Sequence, residues 1–374
     1  MKGGPMLSKE PGAPAHDAAP AGVRAVRQSA PAMAGDATHA RLRRLLIYLL
    51  AACLLSFIAA ALIGSIPIPL ADLPQALHAW RLGQDDMHAS LLELRITRAA
   101  SAFVTGAALA LAGVLMQALL RNPLADPYVL GISGGAALGA LSAMLFFAAA
   151  WMIDVCAFIG AAASAALLYL LARRDLRYGI NSEGGSVLLL TGVILSAACM
   201  AGVSLILSIA PEGRLRSMVF WMIGDLAGSQ STGLAWLAWI GVALFAMTRA
   251  NAINLMAIHA ENAATMGVPI ARLRVQLFFG AAALTASAVA NAGSIGFVGL
   301  IVPHACRFAL GPDHRLLLPA ASLVGGVFLV LADTMARSII APQQLPVGVI
   351  TALVGAPLFL LQLHQLRLWR RGRS

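Results

Sequence analysis

Three ionisable side chains stand inside long apolar runs: His304 and Arg307 in SIGFVGLIVPHACRFALG, and Asp333 in LVLADTMAR. Charges at membrane depth are expensive and mark ion pathways, proton relays or internal pairs. Asp333 is the one carboxylate so placed, and a proton- or ion-coupled carrier would need such a group. A structural carboxylate paired with a polar neighbour is the competing role, because Arg337 lies one helical turn further on. His304 follows Pro303, so its ring can bond a carbonyl that the proline frees; contact with a substrate is the other role.

Residues for other chemistries are missing. No phosphate loop GxxxxGK[ST] occurs, and the only lysines are Lys2 and Lys9, so the usual cradle for ATP cannot form. No two of the eight histidines stand at i, i+4. Cys53, Cys156, Cys199 and Cys306 each lie alone in or beside apolar runs and read as small buried residues. No catalytic residue, metal site or resident cofactor is expected.

These few polar groups must be positioned by a membrane scaffold. The 374 residues are 60% hydrophobic and 11% charged, where soluble domains carry about a quarter charged. The mean hydropathy is +0.82. The chain is therefore expected to be an all-α polytopic membrane protein. The formal net charge of +10 is carried almost wholly by arginines set between apolar runs, not gathered in one patch, which excludes nucleic acid as a partner.

Residues 1–40, rich in Ala, Pro and Gly, read as a disordered cytoplasmic tail, without a cleavable signal. A membrane-spanning domain is expected over 41–367, with about ten spans at 45–66, 99–120, 128–150, 152–172, 187–209, 234–247, 275–292, 295–310, 316–335 and 347–366. Residues 70–94 read as a short helix and loop, and 368–374 as a basic cytoplasmic tail. From residue 41 onward, sixteen arginines fall on one side and six (Arg81, Arg95, Arg98, Arg214, Arg216 and Arg337) on the other. The positive-inside rule then puts both termini in the cytoplasm.

Two features interrupt the spans. QALLRNPLADPYVLGISGGAALG (117–139) carries a charge beside Pro123 and Pro127, so it should lie at a membrane surface or line a watery cavity. Asp126 can cap the helix that follows, and Gly131, Gly134, Gly135 and Gly139 give that helix a smooth packing face. The loop 248–274 contains LMAIHAENAATMGV, a short helix stopped by Gly267 and Pro269. It suits docking into a groove on a soluble partner; lying on lipid is the alternative. Finally, GAALALAGVLMQ and GAAALTASAVAN lie five spans apart, and an odd offset implies two inverted five-helix repeats.

RITRAASAFVTGAALALAGVLMQALLRNPLADPYVLGISGGAALGA, IGFVGLIVPHACRFALGPDHRLLLPAASLVGGVFLVLADTMAR and LPVGVITALVGAPLFLL, in this order, resemble the ABC permeases that import iron–siderophore complexes, haem or vitamin B12. The resemblance implies a homodimer in a bacterial inner membrane, with the pathway between the two copies. It also implies two separate ATP-binding subunits, which hold the ATP and Mg, and a periplasmic or lipid-anchored binding protein that delivers a metal chelate. The loop matching the family's coupling helix runs from His259 to Val268 and contains Glu261, Asn262, Ala264 and Gly267. Arg95, Arg98 and Arg337 match arginines that meet carboxylates of the binding protein; an ordinary interfacial anchor is the other role for each. Asn122 and Leu124 match positions that narrow the cytoplasmic end of the pathway. A second constriction precedes span five, where this sequence has Gly184, Gly185 and Ser186 in place of the Ser and Thr of some members.

The function so implied is import of an iron chelate, siderophore or haem, driven by a separate ATPase, with cobalamin as the alternative cargo. An ion-coupled carrier working alone is the rival class, and a membrane anchor without transport is disfavoured by the two broken segments.

Overall fold

A helix that is apolar on every side has no face to give to water or to a polar partner, and it ends up enclosed. The stretch SAFVTGAALALAGVLMQAL is such a helix, and every residue from Ser101 to Leu119 is buried. The computed structural model describes residues 30–374 apart from 70, 85, 148, 179–181, 229–231, 259–265, 267 and 372–374. Met1–Leu45 forms one compact unit, in which the described residues are helical from Ala30 onward, and Leu46–Ser374 forms the other.

The described helices are α1 (Ala30–Leu62), α2 (Leu73–Leu82), α3 (Met87–Leu120), α4 (Ile132–Phe146), α5 (Ala150–Tyr178), α6 (Ser182–Ile209), α7 (Glu212–Ile223), α8 (Gly233–Ile258), α9 (Ile270–Ala292), α10 (Val298–Leu310), α11 (His314–Ser338) and α12 (Val347–Arg371). There is no strand among the described residues. Seven helices are long and apolar enough to cross a membrane: α1 from Arg43, α3, α5, α6, α8, α9 and α11. Three apolar segments are shorter: α4, α10 and Val347–Gln362 of α12. With 15 residues, α4 extends only about 22 Å, less than a hydrocarbon core of about 30 Å.

α3 packs chiefly against α11 and α9, α4 against α5, and α9 also against α5. Small residues allow these contacts. A Cβ on Gly135 of α4 would collide with the carbonyl of Gly160 in α5, and a Cβ on Gly160 with that of Gly135. A Cβ on Gly139 would likewise meet the Cys156 carbonyl. The glycines expected on this face thus divide, Gly135 and Gly139 forming the seam of α4 with α5 while Gly131 and Gly134 face Gly192, Ser196 and Cys199 of α6.

Four boundaries differ from the sequence expectation. α1 begins at Ala30, inside the stretch read as disordered, because APAMAGDATHARLRR is rich in strong helix formers. α3 begins at Met87, capped by Asp86, whose side chain accepts from the Ala89 N–H at 2.9 Å, so much of the expected outer loop is helix. α8 continues past Met247 to Ile258, through residues expected to form a polar loop. Glu212–Ile223, which lies between the expected spans 187–209 and 234–247, forms α7, which presents Arg216 over the ring of Phe220 at 5.4 Å.

Candidate functional site

Polar groups collect at the two ends of α3. Its Arg98 and Leu120 are about 33 Å apart along the axis, roughly the thickness of the apolar core.

At the first end, Arg95 turns inward. Its Nη1 donates to the carbonyls of Ala61 at 2.9 Å and Leu62 at 3.2 Å, and its Nη2 to that of Ile66. It thereby satisfies the open carbonyls at the end of α1. Gly64 leaves the room, since a Cβ there would lie 2.7 Å from the guanidinium. Arg98 points at Asp333 of α11: Nε lies 3.0 and 3.1 Å from the two carboxylate oxygens and Nη2 lies 2.8 Å from Oδ1. Its Nη1 donates to Gln344 Oε1 at 2.8 Å, and Asp225 lies 4.0 Å away. Arg337, one turn along α11, holds the same carboxylate at 3.1 Å.

Asp333 is 1% exposed, and Arg95 and Arg337 are 6% and 5% exposed. All three arginines line one cavity of about 290 Å3 together with Ser65, Leu94 and Gln344. Three guanidiniums against Asp333, with Asp225 at the edge, leave this cavity net positive, which favours an anionic partner. The sequence pointed to Arg95, Arg98, Arg337 and Asp333, but not to Gln344 or Asp225. No spacing signal links those two to α3; only the fold brings them there.

At the other end, α3 stops in a left-handed cap. Arg121 has φ 48° and its N–H reaches the Ala118 carbonyl, while the Asn122 N–H reaches that of Gln117 at 3.2 Å. This pair of bonds closes the helix as a Schellman motif. Asn122 then accepts from the Leu124 N–H at 3.0 Å, which fixes the tip of the break, and Leu124 is 42% exposed. Asp126 caps the 3-10 turn Pro127–Leu130 through the Tyr128 N–H at 2.8 Å, and Gly131, with φ 77°, leads into α4. Burial pushes the Asp126 carboxyl up to about 6, against the hydrogen bond from Tyr128.

The two interrupted segments meet here. The Tyr128 hydroxyl accepts from the Ile295 N–H at 3.1 Å, and Gln117 Nε2 donates to the Leu300 carbonyl at 3.3 Å. His304 of α10 is buried, but its Nδ1 has no partner among the described residues, so the carbonyl bond expected for it does not form there. Asn291 of α9 ties the core instead, donating to Ser101 at 2.9 Å and Thr105 at 2.8 Å on α3. Two hydroxyls at i, i+4 on an otherwise apolar helix were the signal for this cluster.

Of the loop matched to a coupling helix, His259, Glu261, Asn262, Ala264 and Gly267 lie outside the described residues. Val268 is half-buried against the core. Ser186 lies in α6, which starts at Ser182, so Gly184–Ser186 is helical and not a loop. The end of α8, which leads into the loop matched to a coupling helix, is firmly held. Asn254 of α8 donates to Asp313 at 2.7 Å, and the His314 N–H donates to the Asn254 side chain at 2.8 Å. Arg315 Nε reaches Asn251 at 2.6 Å. Burial pushes the Asp313 carboxyl up, but the Arg315 N–H, Asn254 and the nearby positive charges outweigh it and leave the group below its usual range. These partners explain why α8 extends beyond its apolar part: its polar side chains are satisfied by the α10–α11 turn.

Residues 49–365 match the model of the FecCD transport family. The hemin transport permease HmuU of Yersinia pestis is 38% identical over 75% of this chain and 85% of its own. The vitamin B12 permease BtuC of Citrobacter koseri is 38% identical over 72% and 80%. An inward-facing structure of a metal-chelate type ABC transporter matches with a TM-score of 0.75 and 29% identity, covering 86% of this chain and 99% of that one. The family match takes in both broken segments, the three arginines and the polar foot of α8, and the chain belongs to the FecCD transport family.

Proposed function

We propose that the protein is the membrane permease of an ABC importer whose cargo is an iron chelate, either a siderophore complex or haem. The observation that carries this reading is the 38% identity to the hemin permease across most of that protein's length. Two copies would enclose the pathway in a bacterial inner membrane, with both termini in the cytoplasm. Two ATP-binding subunits would hold the ATP and Mg, so this chain needs no cofactor of its own, and a periplasmic or lipid-anchored binding protein would deliver the chelate.

Ten spans follow if α4, α10 and α12 cross with the seven longer helices. Two inverted five-helix repeats are supported by the packing: α3 on α11 corresponds to α9 on α5 when the halves are exchanged. The net-positive cavity of Arg95, Arg98 and Arg337 suits carboxylates of the binding protein. The segment from His259 through Glu261, Asn262, Ala264 and Gly267 to Val268 is the proposed ATPase contact. Its foot is tied by Asn254 to α11, whose far end carries Asp333 and Arg337, so one rigid helix spans both docking faces. Asn122 and Leu124 are proposed for the inner gate, with Ser186 for the second constriction.

Cobalamin is the second reading, favoured by equal identity to BtuC. Growth of a permease-deletion strain on haem, on ferric siderophores or on cobalamin after complementation separates the cargoes. For the ATPase, co-purification should be lost on Glu261→Arg or Gly267→Trp; retention of the ATPase at wild-type level by both would sink the coupling assignment. An ion-coupled carrier is disfavoured because Asp333 is held by two guanidiniums. Uptake that persists without any ATPase would reinstate it.

A further inference from the structure

A cavity of about 500 Å3 lies between the end of α3, the end of α8 and the α10–α11 turn. Its polar lining is Gln117, Arg121, Asn254, Arg307, Asp313 and His314; the rest is Ala118, Pro123, Ala257 and Pro312. Two of the polar side chains are each 2% exposed, Gln117 and His314. Gln117 Nε2 donates to Leu300, and its Oε1 has no partner among the described residues. His314 Nδ1 lies 2.7 Å from Asn254 Oδ1. Since Asn254 Nδ2 donates to Asp313, that Oδ1 is a carbonyl oxygen and can only accept, so Nδ1 carries the ring proton. Nε2 of the neutral ring is then a bare acceptor, also without a partner among the described residues.

Buried acceptors left open are costly, and two on one cavity call for a ligand that brings hydrogen-bond donors. The same cavity presents a cation. Arg307 is half-buried and forms no ion pair with any carboxylate among the described residues. Asp313 lines the same cavity with its Oδ1 engaged by Asn254 and the Arg315 N–H, and the guanidiniums of Arg121 and Arg307 outnumber its charge. Next to Arg307, Phe308 is 73% exposed at the end of an apolar helix, as a lipid-facing ring would be. The chemistry asked for is therefore a phosphate-type anion, hydroxyl donors beside it, and an apolar body.

We propose that this cavity binds the headgroup of a phosphatidylglycerol-type lipid. The phosphodiester pairs with the Arg307 guanidinium. The glycerol hydroxyls donate to Gln117 Oε1 and His314 Nε2. The chains leave past the alanine and proline wall towards Phe308. Phosphatidylcholine would bring the phosphate but no donor, and its cation would face the arginines.

The test uses the full-length protein, purified in detergent and stripped of lipid, with thermal unfolding and native mass spectrometry as readouts. Probes are short-chain phosphatidylglycerol, phosphatidylmethanol, which has the charge without the hydroxyls, phosphatidylcholine, and glycerol 3-phosphate. Phosphatidylglycerol should give a saturable rise in the midpoint and a one-lipid adduct, phosphatidylmethanol a weaker response, and phosphatidylcholine none. Arg307→Gln should weaken phosphatidylglycerol binding about tenfold or more, as loss of one charged hydrogen bond implies. Gln117→Leu should narrow its lead over phosphatidylmethanol. Equal binding of phosphatidylglycerol and phosphatidylcholine overturns the proposal. An equal response to glycerol 3-phosphate at the same concentration also overturns it, by making the occupant a soluble phosphate ester. The wild-type lipid series decides the matter even if neither variant folds.

Discussion

Arg98 of α3 grips Asp333 of α11 through two nitrogens, with Nη2 at 2.8 Å and Nε at 3.0 Å from one oxygen. The residues are far apart in sequence, and the bond closes the contact between α3 and α11, which pack as extensively as α4 and α5 do. With Arg337 on the second oxygen, Asp333 neutralises part of a cavity lined by three arginines.

Removing one member of a buried charge set leaves the others uncompensated, at about 3–5 kcal/mol. Asp333→Asn should therefore lower the unfolding midpoint strongly in detergent. Adding Arg98→Gln should recover part of the loss, so the double variant is more stable than the sum of the singles predicts. Strict additivity would show that the pair is not coupled. Transport assays on Asp333 variants need normalising to folded protein, since loss of uptake alone would otherwise mimic proton coupling.

A second contact between the same helices is made by backbone. A Cβ on Gly106 would strike the Gly325 carbonyl, and one on Gly325 the carbonyl of Gly106. Gly106→Ala should cost about 1–3 kcal/mol through overpacking. Gly241→Ala on α8, where a Cβ meets nothing within 4 Å, should be neutral or slightly stabilising. A denaturant titration of both variants reads the difference, and equal midpoints would remove the seam from the account.

Much of this fold is legible because lipid imposes it. The long apolar runs, the arginine asymmetry and the Pro123/Pro127 break all follow from what hydrocarbon tolerates. What escaped was set by neighbours. Arg95 and Arg337 read as outward-facing docking residues, with an interfacial anchor as the other role, and the sequence carries no sign of the acceptors their side chains meet, the end of α1 and Asp333. The end of α8 looked like a polar loop because Asn251 and Asn254 are polar; their partners Arg315 and Asp313 are some sixty positions away, and no local pattern announces them. The docking proposed for Arg95, Arg98 and Arg337 rests on family pattern, and a carboxylate brought to Arg98 or Arg337 would compete with Asp333.

Asp126 supplies a pH dependence outside the membrane spans. Burial raises its folded pKa to about 6, above the roughly 3.9 of an unfolded aspartate. Between those values the folded chain binds more protons than the unfolded one. Stability is therefore full below about pH 4, falls as pH rises towards 6, and levels above. Asp126→Asn keeps an acceptor for the Tyr128 N–H and should flatten this part of the profile. Thermal midpoints measured across the window test it, and an unchanged slope in the variant would assign the dependence to another group.

Leu124 provides the sharpest test of the inner gate proposed for this protein. It stands at the tip of the break, its N–H held by Asn122 and its side chain 42% exposed, so it meets no partner that would hide it within its own subunit. In a two-fold assembly around the pathway, an apolar tip of this kind closes a pore by excluding water. Leu124→Asp puts a hydrated charge at that point and should leave the inner end wet. Proteoliposomes with the variant should then leak a small polar dye that the wild type retains, and Leu124→Met should stay tight. Asn122→Ala, which removes the acceptor that fixes the turn, should leak to an intermediate degree. If the aspartate variant stays as tight as the wild type, the barrier lies elsewhere, and the helical segment around Ser186 becomes the next place to look.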